Sequence, residues 1–239
     1  MKHLIGKILK YINQNVSMNY LLNSPSLYQD WKIEPKINTC TTNTIEYSKK
    51  KFTKNDIAVY KNIISNKIYN NVLSFKSDIM WTFGYYNNKN LIYNDKENIN
   101  EIHHFYTDVQ HNIFFTNLFY KIILPQIEIE NKDKVKIDNI FITGQLHGLS
   151  DLFHRDNRST NNYGPSVYLF MNDNWKSYYD GSLCFLLDEE SKELYHEENI
   201  ENKIVVFPPG IYHRSCEISG YGLFENALNT ILQFHLIYE

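Results

Sequence analysis

From residue 135 to the C-terminus the chain is written in short runs rich in β-branched and aromatic residues: VKIDNIFITGQ, SVYLFMND, GSLCFLLDE, NKIVVFPPG and ALNTILQFHLIYE. Gly, Pro, Asn and Asp separate them, which is the pattern of strands divided by turns. The preceding segment has a different grammar. IAVYKNIISNKIYNNVLSF places apolar residues at 57, 60, 63, 64, 68 and 72 to 73, close to a helical period, and predicts a first helix that begins after Asp56 as its cap. A second helix is predicted near 106 to 126, ending at Pro125, and MWTFGYYNN (80 to 88) between them reads as a strand and turn followed by a polar, Asn-rich loop. Helices first and many closely spaced strands after them predict one α+β domain whose C-terminal half is a sandwich or jelly roll.

The 239-residue length allows such a domain with a sizeable core. Residues 57 to 239 are assigned to it, and residues 1 to 56 to an appended arm that ends in the charged joint KKKFTKND. The arm opens on MKHLIGKILKYINQN, whose apolar run is broken by Lys7 and Lys10, so an amphipathic helix is expected there rather than a signal peptide. A net charge of -3 provides no basic field for a phosphate backbone, so nucleic acid is not a favoured partner. The chain contains no long apolar run of the kind that crosses a membrane. Cys40, Cys184 and Cys216 are odd in number and lack CxxC spacing, which argues against a disulfide framework and a thiolate zinc site and favours a reducing, cytoplasmic home.

DLFHRDN (151 to 157) sets His154 and Asp156 two positions apart. On an extended segment such residues share a face while Arg155 turns away, so the pair suits chelation of one ion. An isolated HxD is common by chance. Its weight here comes from VVFPPGIYHRS, where an apolar strand ends in a Pro-Pro-Gly turn and then delivers His213. Two imidazoles and one carboxylate make the face that holds Fe(II) and leaves coordination positions open. His3, His103, His104, His111 and His196 sit in polar or helical contexts and read as surface or packing residues.

MWTFGYY (80 to 86), FITGQLHGLSDLFHRDN (141 to 157), SVYLFMNDNWKSYYDGSLCFL (166 to 186) and NKIVVFPPGIYHRS (202 to 215) together resemble the iron(II) and 2-oxoglutarate dependent oxygenases, in particular the prolyl 4-hydroxylase-like members of viruses and bacteria. Met171, Asn172, Trp175, Gly181 and Ser182 hold the places of that family's Leu-Asn, Trp and Gly-Gly positions. The resemblance implies a double-stranded β-helix with supporting helices, and His154, Asp156 and His213 as catalytic iron ligands. It further implies hydroxylation of a peptidyl (prolyl) or small-molecule substrate, with 2-oxoglutarate and molecular oxygen consumed. In a virus the host cytoplasm would be the compartment.

One departure concerns the cosubstrate. The family carries an Arg or Lys on the strand after the distal histidine, bonded to the far carboxylate of 2-oxoglutarate. Asn229 stands in that place, Phe170 stands where some prolyl hydroxylases have an assisting tyrosine, and no Lys or Arg follows Arg214. Three alternatives stay open: an anchor supplied by Arg158 or Lys203; a less charged ligand held by Asn229, Gln233 and His235, which alternate on one face of the last strand; or a catalytically silent jelly-roll binding protein. Solvent exposure is the plain alternative for that polar face. Tyr168 shares its strand face with Phe170 and is expected to face the cavity. Gln145 and His147 are placed at the substrate mouth, Trp81 and Trp175 in packing, and Cys184 either near iron or as a small buried hydrophobe.

Overall fold

Val135–Gln145 (β4) alternates so that Ile140 and Ile142 project to one face and Asn139, Phe141, Thr143 and Gln145 to the other. The same division runs through its antiparallel neighbour Asn229–Tyr238 (β10) and through Tyr163–Phe170 (β5), so one face of the sheet is aliphatic and the other mixed. The computed structural model describes residues 51–84, 104–149, 153–156, 163–225 and 227–239. The helix expected near the N-terminus, the Asn-rich loop, His103 and Arg158 lie outside the described residues. Lys51–Glu239 forms one compact unit. Within it Phe52 is buried against residues of both sheets and its N–H donates to Leu187 O at 3.0 Å.

The remaining strands are Ala58–Lys61 (β1), Thr82–Gly84 (β2), His104–Asp108 (β3), Leu183–Asp188 (β6), Glu193–Glu197 (β7), Lys203–Phe207 (β8) and Tyr212–Ser215 (β9). They make a seven-stranded sheet in the order β1-β8-β5-β10-β4-β3-β2 and a three-stranded sheet in the order β7-β6-β9. An isolated antiparallel bridge between His154 and His213 attaches the 153–156 segment to the outer edge of β9. From β5 onward the chain passes from the large sheet to the small one and back, which is the winding of a double-stranded β-helix.

Tyr168, Phe170, Val205, Phe207 and Ile231 of the large sheet and Leu183, Phe185 and Leu187 of the small sheet bury one another in a common cluster, so the two sheets face each other. The aliphatic side of the large sheet (Ile140, Ile142, Val167, Leu169, Val206, Leu232 and Phe234) packs instead on helices. These are Asn66–Asp78 (α1) and Ile113–Asn117 (α2), the latter continued by a π-helical turn over Leu118–Ile123 and a 3-10 turn containing Pro125. Asn112 caps α2 by accepting from Phe114 N–H. The Tyr69 hydroxyl of α1 donates to Phe170 O at 2.9 Å, and burial pushes that phenol's pKa upward. A short helix, Gly220–Phe224 (α3), separates β9 from β10.

Two helix boundaries differ from the sequence expectation. Residues 58 to 61 form β1 because their backbone pairs with the edge of β8, Ala58 opposite Val206 through Lys61 opposite Lys203; the helix starts only after Ser65. Asp56 does not cap that helix; it closes a 3-10 turn, Lys54–Asp56, by accepting from Thr53 N–H before β1. Residues 106 to 108 likewise belong to β3, paired with β4. In both places a long-range strand partner outweighs local periodicity. The strand expected within 80 to 88 is β2, as far as Gly84.

Candidate metal centre

His154, Asp156 and His213 each bring one ligand atom to a common point, and those atoms lie within 4.8 Å of one another. Paired backbone hydrogen bonds set the geometry: His154 N–H donates to His213 O at 3.0 Å, and His213 N–H donates to His154 O at 2.9 Å. The rings of the two histidines are 4.5 Å apart, centre to centre. Asp156 projects to the same side, whereas Arg155 turns outward, stacks on Tyr212 and bonds Glu189.

Around these donors the interior of the large sheet supplies specific partners. Ser166 donates its hydroxyl to Asp156 Oδ2. The Tyr168 hydroxyl lies 3.3 Å from that oxygen and 3.1 Å from His213 Nε2. His213 Nδ1 is 3.2 Å from Ile211 O, so a proton on Nδ1 is held by the carbonyl and Nε2 keeps its lone pair directed at the common point. Phe207 and Phe185 wall the ring of His213, which is 1% exposed. One carboxylate and two imidazoles, with Asp156 and His213 buried and His154 partly so, are a donor set that a divalent iron takes.

The face of β10 that the sequence left between solvent and cavity is turned inward: Asn229, Gln233 and His235 are all buried. They do not converge. Asn229 accepts from the side-chain amides of Asn172 and Asn199 and donates to Gly181 O, which commits it to a buried amide cluster. A Cβ at Gly181 would stand 3.1 Å from the Asn229 amide nitrogen, and the φ of +74° there also favours glycine. Gln233 donates to Thr143 Oγ1 at 2.9 Å. Of the three, His235 is the one that approaches a ligand, with Nε2 3.6 Å from Asp156 Oδ2 and neither ring nitrogen in a hydrogen bond. Register shifts in both strand pairings of β10 begin at His235, and such irregularities re-aim side chains.

Phe170 is fully buried in the apolar cluster between the sheets. Lys203, 1% exposed, does not serve as the free cation considered above: its ammonium bonds Glu197 Oε1 and the carbonyl of Glu198. Gln145 donates to Leu149 O and His147 contacts Ile218 O, so both are tied to neighbouring loops. Trp81 packs against Gly144 and Phe105, and Trp175 bonds Asp180 O, as packing residues do. Ser166 was missed by sequence reasoning, although its i, i+2 relation to Tyr168 on one strand face was the available signal.

No family model and no curated protein matches the sequence. The fold does have solved counterparts. A prolyl hydroxylase from Trichoplax adhaerens, solved with a hypoxia-inducible-factor peptide fragment, superposes with a TM-score of 0.54 at 14% identity, covering 77% of this chain and 84% of that one. A 2OG-Fe(II) oxygenase family oxidoreductase from Burkholderia pseudomallei gives 0.57 at 8% identity, with 77% and 86% covered. HygX from Streptomyces hygroscopicus, solved with nickel, 2-oxoglutarate and hygromycin B, gives 0.53 at 9% identity, with 77% and 83% covered. The chain therefore has the jelly-roll fold found in these oxygenases.

Proposed function

We propose that this chain is a mononuclear non-haem Fe(II) oxygenase that hydroxylates a peptidyl or small-molecule substrate with 2-oxoglutarate as cosubstrate. The observation that carries the reading is the meeting of His154, Asp156 and His213 between the two sheets of a fold shared with such enzymes. When bound, Fe(II) would activate molecular oxygen at the positions these three ligands leave free. The chain's own residues do the rest. Ser166 orients the Asp156 carboxylate, Ile211 O holds the Nδ1 proton of His213, and Phe185 and Phe207 keep water from the back of the ring. Tyr168 presents a hydroxyl beside the ligands, where it can bond a cosubstrate oxygen.

A second reading, an Fe(II) oxygenase using a less acidic cosubstrate, is favoured by one observation. Of the three positions considered for anchoring the far carboxylate, Asn229 and Lys203 are both committed to other partners. Burying a carboxylate without a compensating partner is costly. Anaerobic titration separates the two. A charge-transfer band that requires Fe(II) and 2-oxoglutarate together supports the first reading, and iron binding indifferent to 2-oxoglutarate supports the second. Loss of neither iron nor activity in His154→Ala and Asp156→Ala would refute both.

A further inference from the structure

On the outer face of the small sheet, Cys184 of β6, His196 of β7 and Cys216 just after β9 bring two sulfurs and a ring nitrogen within 4.8 Å of one another. Strand register makes this meeting. Cys184 is paired with His196 on one side and with Arg214 on the other, and Cys216 N–H donates to Ser182 O at 2.8 Å, which draws the end of β9 alongside β6. Cys184 alternates with Leu183, Phe185 and Leu187 of the inner cluster, so its sulfur is on the side of the sheet opposite the iron-ligand candidates.

We propose that Cys184, His196 and Cys216 form a second metal site, selective for a soft-to-borderline divalent cation of the zinc type. Two thiolates and one imidazole are zinc-type donors, with bonds of about 2.3 Å to sulfur and 2.0–2.1 Å to nitrogen. In a tetrahedron those lengths separate neighbouring donors by roughly 3.6–3.8 Å. Cys184 Sγ already lies 3.5 Å from His196 Nε2, the ligating nitrogen, whereas Cys216 Sγ lies 3.8 Å from Nδ1 on the other side of the ring, so it is the Cys216 to Nε2 spacing that must close. A small turn of the exposed His196 side chain completes the set, with water in the fourth position.

The surroundings supply the outer support that metal-bound imidazoles have. Ser182 Oγ donates to Asp180 Oδ1 at 3.2 Å and lies 3.4 Å from His196 Nδ1. A hydroxyl engaged in that way accepts from Nδ1–H, leaving the Nε2 lone pair toward Cys184. Cys184 is fully buried, Cys216 half-buried and His196 exposed, so the site is open to solvent on one side. An ion there would tie all three strands of the small sheet together, including β9, which carries His213 on its other face.

The test uses the full chain carrying Asp156→Ala, reduced and handled anaerobically, so that the iron-ligand set is disabled and this site is read alone. Co(II) is the probe, because thiolate ligation gives a near-ultraviolet sulfur-to-metal band that nitrogen and oxygen donors do not, and tetrahedral geometry gives intense visible bands. One equivalent of Co(II) should develop both, Zn(II) should displace it, and Zn(II) should raise the melting temperature. His196→Ala and Cys216→Ser, each checked for native circular dichroism, should lose the spectrum and the thermal shift. Folded, reduced Asp156→Ala protein without the sulfur band overturns the proposal. A Cys184–Cys216 disulfide that forms in preference to metal binding also overturns it.

Discussion

Ser166 and Asp156 are joined by a hydroxyl-to-carboxylate hydrogen bond inside the fold, the serine on the large sheet and the aspartate on the segment that edges the small one. The bond fixes the carboxylate rotamer relative to both imidazoles. Ser166→Ala is expected to weaken Fe(II) affinity by roughly 10–100-fold while leaving the fold intact, since outer partners of metal ligands carry effects of that size. Equilibrium titration with Fe(II) under anaerobic conditions reads the change, and an unchanged affinity would remove Ser166 from the site.

Lys203 and Glu197 form an ion pair between β8 and β7 with side-chain exposures of 1% and 12%. Removing one member strands the other charge in a poorly solvated place. Lys203→Met is expected to cost about 3–5 kcal/mol in urea unfolding. Adding Glu197→Leu should return most of that loss, because a paired apolar replacement leaves no orphaned charge.

The Asn172, Asn199 and Asn229 side chains form a closed amide cluster at the start of β10. Asn229→Ala leaves two buried amide donors without their acceptor and Gly181 O without its donor. A loss of about 1–3 kcal/mol for each group left unsatisfied is expected. Thermal unfolding followed by circular dichroism measures it. Iron affinity should change far less, because the side-chain hydrogen bonds of Asn229 run to the cluster's other amides and to Gly181 O.

Exposed Lys51 and half-buried Asp188 make a pair at 3.0 Å that fastens the first described residues to the end of β6. The lysine's hydrogen bond holds the Asp188 carboxyl well below the usual carboxylate range, and the carboxylate raises the Lys51 ammonium. The folded carboxyl binds its proton less readily than the unfolded one. Its contribution is therefore complete above the unfolded value of about 3.9 and fades as pH falls below it toward the folded value. The Lys51 contribution is complete below the unfolded value of about 10.4 and is lost as pH rises through the higher folded one. Asp188→Asn should flatten the acid limb of a melting-temperature profile below about pH 4; an unaltered limb would assign acid sensitivity elsewhere.

Much of the interior was legible in the chain because it depends on alternation. Thr230, Leu232, Phe234 and Leu236 against Asn229, Ile231, Gln233 and His235 announce a two-faced strand, and the structure turns the first set to the helices and the second to the side that faces the small sheet. The HxD pair and the histidine after Pro-Pro-Gly were visible as residue types at suggestive places, and they meet. What stayed hidden depends on pairing between distant segments. β1 and β3 become strands only because the edges of β8 and β4 accept them. Cys184, His196 and Cys216 lack any local metal motif, and only the register of β6 with its two neighbours assembles them. His196 had read as a surface or packing residue and is exposed; its closeness to the two sulfurs was not visible in their spacing along the chain.

The bridge between His154 and His213 closes the jelly roll along the edge of its small sheet, joining a segment that precedes β5 to one that follows β8. An iron ion seated across it would bind the native chain and not the unravelled one, so survival against heat and proteases becomes a function of iron supply, by RT ln(1 + [Fe]/Kd). Iron-starved copies would then be the first that a cell's degradation machinery removes.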